Sequence, residues 1–243
     1  MKLSPYLVVC VVAPLVFLAG ESTSAFLGPQ GVATSTSLGQ VAFQADATPI
    51  SFGSVSGNVY TNDSLGITFD FPSGWFVDKR SMQAENESAN RFFSQAQQVS
   101  NGHKSYTLLI VSQLQEQATC HGCESVRVTD PRIVLCAGAL GMSEQNKSAA
   151  DIQTGIKRKL EQRKGYEITR GPESCSFGGQ AFSRMDTKAR TFAGNFGFLG
   201  DVIAIRQGHS IEFQLHARTP EELEMLYQTL NSLRFDPLAE TRQ

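Results

Sequence analysis

The chain has 243 residues, of which 41% are hydrophobic and 18% charged, with a formal net charge of -2. This length suits one domain with appendages, and the composition supplies enough apolar material for a core, which excludes a disordered or fibrous chain. The near-neutral balance gives no general pull toward nucleic acid or an anionic membrane, so no nucleic-acid partner is expected.

The N-terminus reads as a targeting segment. Lys2 provides the positive start, Tyr6 to Ala19 an apolar stretch and Thr23-Ser24-Ala25 a small-residue exit, so residues 1–25 are expected to be a signal peptide cleaved after Ala25. Pro14 interrupts the apolar run, which falls short of the roughly 20 residues that span a bilayer. An uncleaved anchor is the alternative, and no stable membrane insertion is expected after cleavage. Cys10 sits within the run behind bulky Val9 and reads as part of the signal, not as a lipid acceptor. The predicted location is the periplasm or the extracellular space. The short signal and plain composition suggest a bacterium.

Export governs how the other cysteines are read. Cys120, Cys123, Cys136 and Cys175 form an even set in an oxidising compartment and admit two disulfides in three connectivities. Three sequons, Asn62-Asp63-Ser64, Asn86-Glu87-Ser88 and Asn146-Lys147-Ser148, match the acceptor pattern for N-linked glycans and are expected to be idle in a bacterium.

Residues 26–57 are rich in Gly, Ser, Thr, Ala and Gln without a sustained period and read as a flexible linker. The folded domain is expected over residues 58–236, with a C-terminal tail at 237–243. Val59-Tyr60 forms a short first strand. Ile67, Phe69 and Phe71 then alternate with Thr68 and Asp70, and Pro72-Ser73-Gly74 turns the chain into a second apolar run, Trp75-Phe76-Val77. From Ser81 the period becomes helical through Ala89, Phe92, Phe93, Ala96 and Val99, with Gly102 placed to end the helix. Tyr106 to Leu114 is a nearly continuous apolar run that suits a central strand covered on both faces.

A polar loop over residues 115–130 leads to a buried strand, Arg132 to Ala137. Ser148 caps a second helix whose stripe is Ala149, Ile152, Ile156, Leu160 and Arg163. Strands follow at Glu167 to Thr169, around Ser176-Phe177 and at Gln180 to Arg190. Phe198 to Arg206 and Ser210 to Arg218 form a hairpin about Gln207-Gly208. Thr219, Pro220 and Glu222 open a last helix as cap, first-turn residue and capping-box partner, with the stripe Leu223, Leu226, Tyr227, Leu230 and Leu233. Grouped elements of this kind predict an α+β fold, an antiparallel β-sheet flanked by helices.

Three stretches carry a resemblance. Tyr60-Thr61-Asn62 with Leu65-Gly66-Ile67-Thr68-Phe69 and Pro72-Ser73-Gly74-Trp75, then Gly179-Gln180-Ala181-Phe182-Ser183-Arg184-Met185-Asp186, then Leu230-Asn231-Ser232-Leu233-Arg234-Phe235 together resemble the PsbP-like superfamily, over roughly residues 58–236. These motifs belong to the fold and not to an activity. The resemblance implies an α/β/α sandwich that docks to other proteins without catalysis, and it carries over no metal-binding residue.

Cys120-His121-Gly122-Cys123 is the sharpest local motif, and a structural disulfide is its leading reading. Thiol exchange needs the pair at a helix N-terminus, and the following residues 124–131 show no helical stripe. Zinc could recruit Cys136 or His121, although no second Cys-x-x-Cys or His-x-x-x-His is present. Asp201, Glu212 and His216 fall on one face of the final hairpin, expected to be solvated with cross-strand charge pairs; Ile203 and Ile205 share that face and give it partial cover. Arg184 and Asp186 are expected to pair. Lys157, Arg158, Lys159, Arg163 and Lys164 form a basic helix face suited to an acidic partner. The chain lacks a Gly-x-Ser-x-Gly elbow, a phosphate loop and His-Glu-x-x-His.

The expected function is a non-catalytic exported binding or docking module of the bacterial cell envelope, not an enzyme, with no cofactor and an unknown protein or envelope component as partner. The alternative is an exported thiol-disulfide or metal-binding protein using the Cys120 to Cys123 loop.

Overall fold

The structure, a computed structural model, describes residues 50–96, 105–113, 131–141, 143–190 and 196–237. Its elements are β1 (Ser54–Ser56), β2 (Val59–Asn62), β3 (Ile67–Asp70), β4 (Phe76–Val77), α1 (Lys79–Ala96), β5 (Ser105–Ser112), β6 (Arg132–Ala139), α2 (Ala149–Leu160), β7 (Tyr166–Phe177), β8 (Gln180–Arg190), β9 (Phe196–Arg206), β10 (His209–Ala217), α3 (Pro220–Thr229), a 3-10 turn (Leu230–Ser232) and β11 (Arg234–Phe235). The signal peptide, most of the linker and the Cys120 to Cys123 loop lie outside the described residues.

The strands form two sheets, ordered β1-β2-β3-β11 and β4-β5-β6-β10-β9-β8-β7. Every pairing is antiparallel. The larger sheet carries the small sheet and α3 on one face and both α1 and α2 on the other. The fold is α+β, an antiparallel sheet flanked by helices.

The corner at Pro72 to Gly74 does not close a hairpin between the runs it joins. β3 belongs to the small sheet, whereas β4 pairs with β5 at the edge of the large one. The chain crosses between sheets here, with the Trp75 amide donating to the Pro72 carbonyl at 3.2 Å and Gly74 at φ +82°. The left-handed conformation at Gly74 suits a residue without Cβ.

The main core fills the space between the two sheets and α3. Phe69 of β3 meets Phe213 of β10 edge to face, with centroids 5.8 Å apart, and both rings are fully enclosed. Burying each ring contributes roughly 1.5–3 kcal/mol before cross-sheet packing is counted. Ile211, Phe213, Leu215 and Ala217 all enter this core, as their alternation requires. So does the stripe of α3 and its 3-10 extension, Leu223, Leu226, Tyr227, Leu230 and Leu233. Trp75 packs against the same core half-buried.

Several expectations change in the folded chain. Ser54–Ser56 is a strand inside the stretch read as linker, pairing Val55 with Tyr60, and it gives no apolar signal because all three residues are exposed. β5 is buried throughout its middle but is not central: among the described residues the two-residue β4 alone lies beyond it. The pieces read at Glu167 and Ser176 are one strand, β7, whose register slips between Ile168, Arg170 and Glu173. These irregularities break the alternation that would have revealed it.

Helix starts follow their caps. At α2, Ser148 accepts from the Asp151 amide and Asp151 accepts from the Ser148 amide, a complete capping box. At α3 only half of the expected box forms: Thr219 accepts from the Glu222 amide, while the Glu222 carboxylate turns back to the Arg218 backbone and guanidinium. At the β9–β10 turn, Gln207 and Gly208 both have positive φ, +50° and +74°, the signature of a two-residue type I′ hairpin.

Candidate functional site

The helix-facing surface of the large sheet holds a strip of polar side chains between α1 and α2. Register builds it row by row. Cys136 of β6, Glu212 of β10, Ile203 of β9 and Ser183 of β8 lie abreast; the next row is Val134, Gln214, Asp201 and Met185; the next is Arg132, His216, Leu199 and Thr187. α1 covers the β5 end, where Met82 packs on Ile110, Val134 and Cys136. Asn86 also clamps the Thr107 backbone there, donating at 2.8 Å and accepting at 2.9 Å.

α2 covers the other end through Gln153, which is fully buried. Its amide donates to the Asp201 carbonyl at 2.7 Å and accepts from the Ser183 hydroxyl at 2.5 Å. The stripe read from sequence missed this residue: Ile152, Ile156 and Leu160 are only half-buried. The α2 layer meets the sheet through an amide as well as through apolar side chains.

Asp201, Glu212 and His216 share one face, as alternation predicted, and each side chain is half-buried there under the helical layer. The Asp201 Oδ1 and His216 Nδ1 atoms are enclosed and have no hydrogen-bond partner among the described residues. Burial, and then the adjacent Glu212 carboxylate, push the Asp201 carboxyl well above its ordinary range. Burial also raises Glu212, against hydrogen bonds from Gln214 and Asp201 that hold it down. Gln214 donates to Glu212 at 2.6 Å. Two adjoining carboxyls raised together disfavour double ionisation, because each negative charge opposes the other. Burial, then Arg132 opposite, pull His216 well below its usual value, so it is neutral near pH 7. Arg132 Nε is also enclosed and unpartnered among the described residues.

Among the described residues no group of three His, Cys, Asp or Glu side chains is placed to hold a metal ion.

Arg184 and Asp186 pair as expected, on the opposite face. Arg184 grips the Asp186 carboxylate at 3.2 and 2.9 Å and reaches Glu224 of α3 at 3.2 Å.

The basic residues all lie on or just beyond α2. Lys157 is matched by Glu161 at 3.6 Å; Arg158, Arg163 and Lys164 are exposed. Burial lowers the Lys159 pKa, Glu144 opposes that, and Lys147 and Arg163 are near enough to lower it further. Lys147, before the helix, thus belongs to this patch although it lies outside the run read from sequence.

Cys136 and Cys175, the two cysteines among the described residues, are not joined and cannot pair with each other. Cys136 of β6 and Cys175 of β7 are separated by β10, β9 and β8, four strand spacings or roughly 19 Å, far beyond the ~7 Å that a disulfide tolerates between Cα atoms. They also face opposite layers: Cys136 lies under α1, whereas Cys175 packs on the main core. Burial raises the Cys175 thiol pKa, which suits an inert side chain. Cys120 and Cys123 lie outside the described residues.

Fold and strip together define an α+β domain with helices on both faces of the large sheet and a half-buried polar seam on one of them. No protein-family profile matches the chain, and no curated protein matches it. Among solved structures, it is similar to cyanobacterial PsbP (CyanoP) from Synechocystis sp. PCC 6803, with a TM-score of 0.44 and 14% identity, over 76% of this chain and 98% of that one. It is also similar to LpqN of Mycobacterium tuberculosis, described as involved in cell envelope biogenesis, with a TM-score of 0.41 and 14% identity, over 70% of this chain and 83% of that one. Among the described residues no helix is long and apolar enough to cross a membrane.

Proposed function

We propose that this chain is a non-catalytic, exported docking module of the bacterial cell envelope, and that the basic face of α2 receives an acidic partner. The observation that carries the reading is the crowding of like charge on a rigid helix. Lys157, Arg158 and Lys159 occupy its last turn, with Arg163 and Lys164 just beyond and Lys147 beside them. Such crowding is self-repulsive, and an opposing negative surface relieves it. Gln153 holds the helix to the sheet, and Arg158 and Lys159 project on the sides turned away from it, so these charges are presented without rearrangement.

The test is capture from a native envelope extract across a salt series, with Lys157→Glu/Lys159→Glu/Arg163→Glu in parallel. The reading expects a partner retained at low salt, weakened at higher ionic strength and bound at least about tenfold less tightly by the triple variant. Equal capture by the two proteins would overturn it. The rival thiol or metal reading depends on Cys120 and Cys123, and mass spectrometry under native conditions separates it: a stable disulfide resistant to mild reductant opposes exchange chemistry, and bound metal supports the metal form.

A further inference from the structure

We infer that Asn146 is the one sequon asparagine that the folded protein can offer as an acceptor for an N-linked glycan. The pattern Asn-x-Ser occurs three times, and the fold treats the three differently. Asn62 is 1% exposed; its Nδ2 donates to the Ser51 carbonyl at 2.8 Å and to the Tyr60 hydroxyl at 3.0 Å, so both amide hydrogens are used. Its Oδ1 accepts from the Ser64 hydroxyl at 2.7 Å and the Leu65 amide at 3.1 Å.

Asn86 is blocked by geometry. Its amide grips both the amide and the carbonyl of Thr107, which uses the Nδ2 hydrogen on the same side as Oδ1. A substituted amide prefers the trans arrangement, as a peptide bond does, and that places the sugar carbon where this hydrogen lies. A glycan and the Thr107 clamp exclude each other.

Asn146 has neither constraint. It is exposed in the turn at residues 143–146, ahead of α2. The turn is tied by its backbone, Glu144 N–H to the Gly141 carbonyl at 2.8 Å and Lys147 N–H to the Glu144 carbonyl at 2.9 Å. Among the described residues the Ser148 hydroxyl of this sequon is engaged with Asp151, one helical turn on, a local contact that opens without disturbing the core. Asn146 also has an acidic residue two positions earlier, Glu144, where Asn62 has Tyr60 and Asn86 has Ala84. A transferase that requires an acidic residue at that position would read the Asn146 sequon and neither of the others.

The co-substrate is a lipid pyrophosphate-linked oligosaccharide. A bond forms between Asn146 Nδ2 and the anomeric carbon, the bond from that carbon to the pyrophosphate oxygen breaks, the lipid pyrophosphate leaves with the electron pair, and the proton lost from the amide passes to solvent. Nothing is oxidised or reduced.

The test exports the full chain to the periplasm of a bacterium supplied with such a transferase and its lipid-linked donor, with glycopeptide mass spectrometry of the folded, soluble product. A single glycan at Asn146, lost in Asn146→Gln, is expected. Ala84→Asp, at an exposed position of α1, completes the extended signal around Asn86, and the folded product is still expected to carry no glycan there. An unmodified Asn146 in cells that modify a control glycoprotein, or a folded product glycosylated at Asn86 or Asn62, would overturn the inference.

Discussion

Tyr227 of α3 donates a hydrogen bond to the Asp186 carboxylate of β8, a residue 41 positions earlier, while Arg184 grips that carboxylate and lies 3.4 Å from the centre of the Tyr227 ring. Arg170 of β7 adds a further contact to Asp186 at 3.3 Å. This network fastens the last helix to the sheet, and Gly200 makes room for it: a Cβ there would lie 2.8 Å from Tyr227 Cζ and 3.0 Å from Leu223 Cδ1. Removing one partner leaves a poorly solvated charge behind. Asp186→Ala is expected to lower stability by about 3 kcal/mol, and Tyr227→Phe by about 1 kcal/mol. Urea midpoints at constant slope measure both, and equal effects would show that the carboxylate is not the centre of the network.

The polar strip gives stability a pH dependence of defined sign. Asp201 and Glu212 have raised folded pKa values, so they bind protons more tightly when folded. Their contribution is fully present below the ordinary carboxylate range and is lost as pH rises through the raised folded values. Asp201→Asn removes that loss. The variant is expected to equal or exceed the parent near neutral pH, with its advantage shrinking on acidification. His216 works in the opposite direction: its folded pKa is lowered, so its contribution is present above about 6.5 and is lost on acidification below that. His216→Gln is expected to flatten stability between about pH 7 and pH 5. Denaturant titrations at stepped pH would read both, and parallel curves for parent and variants would refute the assignment.

Gln153 is expected to matter more than any one apolar residue of α2. Gln153→Ala strands the Ser183 hydroxyl and the Asp201 carbonyl inside the interface, at an expected loss of about 2 kcal/mol. Hydrogen exchange should localise the loosening to α2 and leave β10 protected. Uniform loss of protection would show instead that α2 and the sheet unfold as one unit.

Cys136 and Cys175 are expected never to be joined in native protein, even under strong oxidation. Non-reducing peptide mapping should recover no Cys136–Cys175 link. A link there would require four strands of register to be wrong.

Much of the scaffold was legible because strong local signals and burial agree in it. The alternation of Ile211, Phe213 and Leu215 and the capped stripe of α3 each specify one buried face, and those faces meet in one core. The seam was only half legible. Period two put Asp201, Glu212 and His216 on one side of their strands, but alternation does not reveal what lies above that side. Gln153 gave no signal, because a glutamine on a helix surface reads as solvated until Ser183 and Asp201 are placed opposite it.

By itself, the order of residues determined the strand faces, the helix caps, the Gln207-Gly208 hairpin turn and the α+β class, since each depends on interactions within a few positions or on a simple period. Tertiary structure alone decided that the Pro72 to Gly74 corner crosses between sheets, that α2 docks through an amide, that two carboxyls adjoin in a half-buried seam, and that Cys136 and Cys175 stand on strands too far apart to join. These features depend on groups brought together from distant positions, and only the completed packing decides which polar groups lose water and which partners replace it.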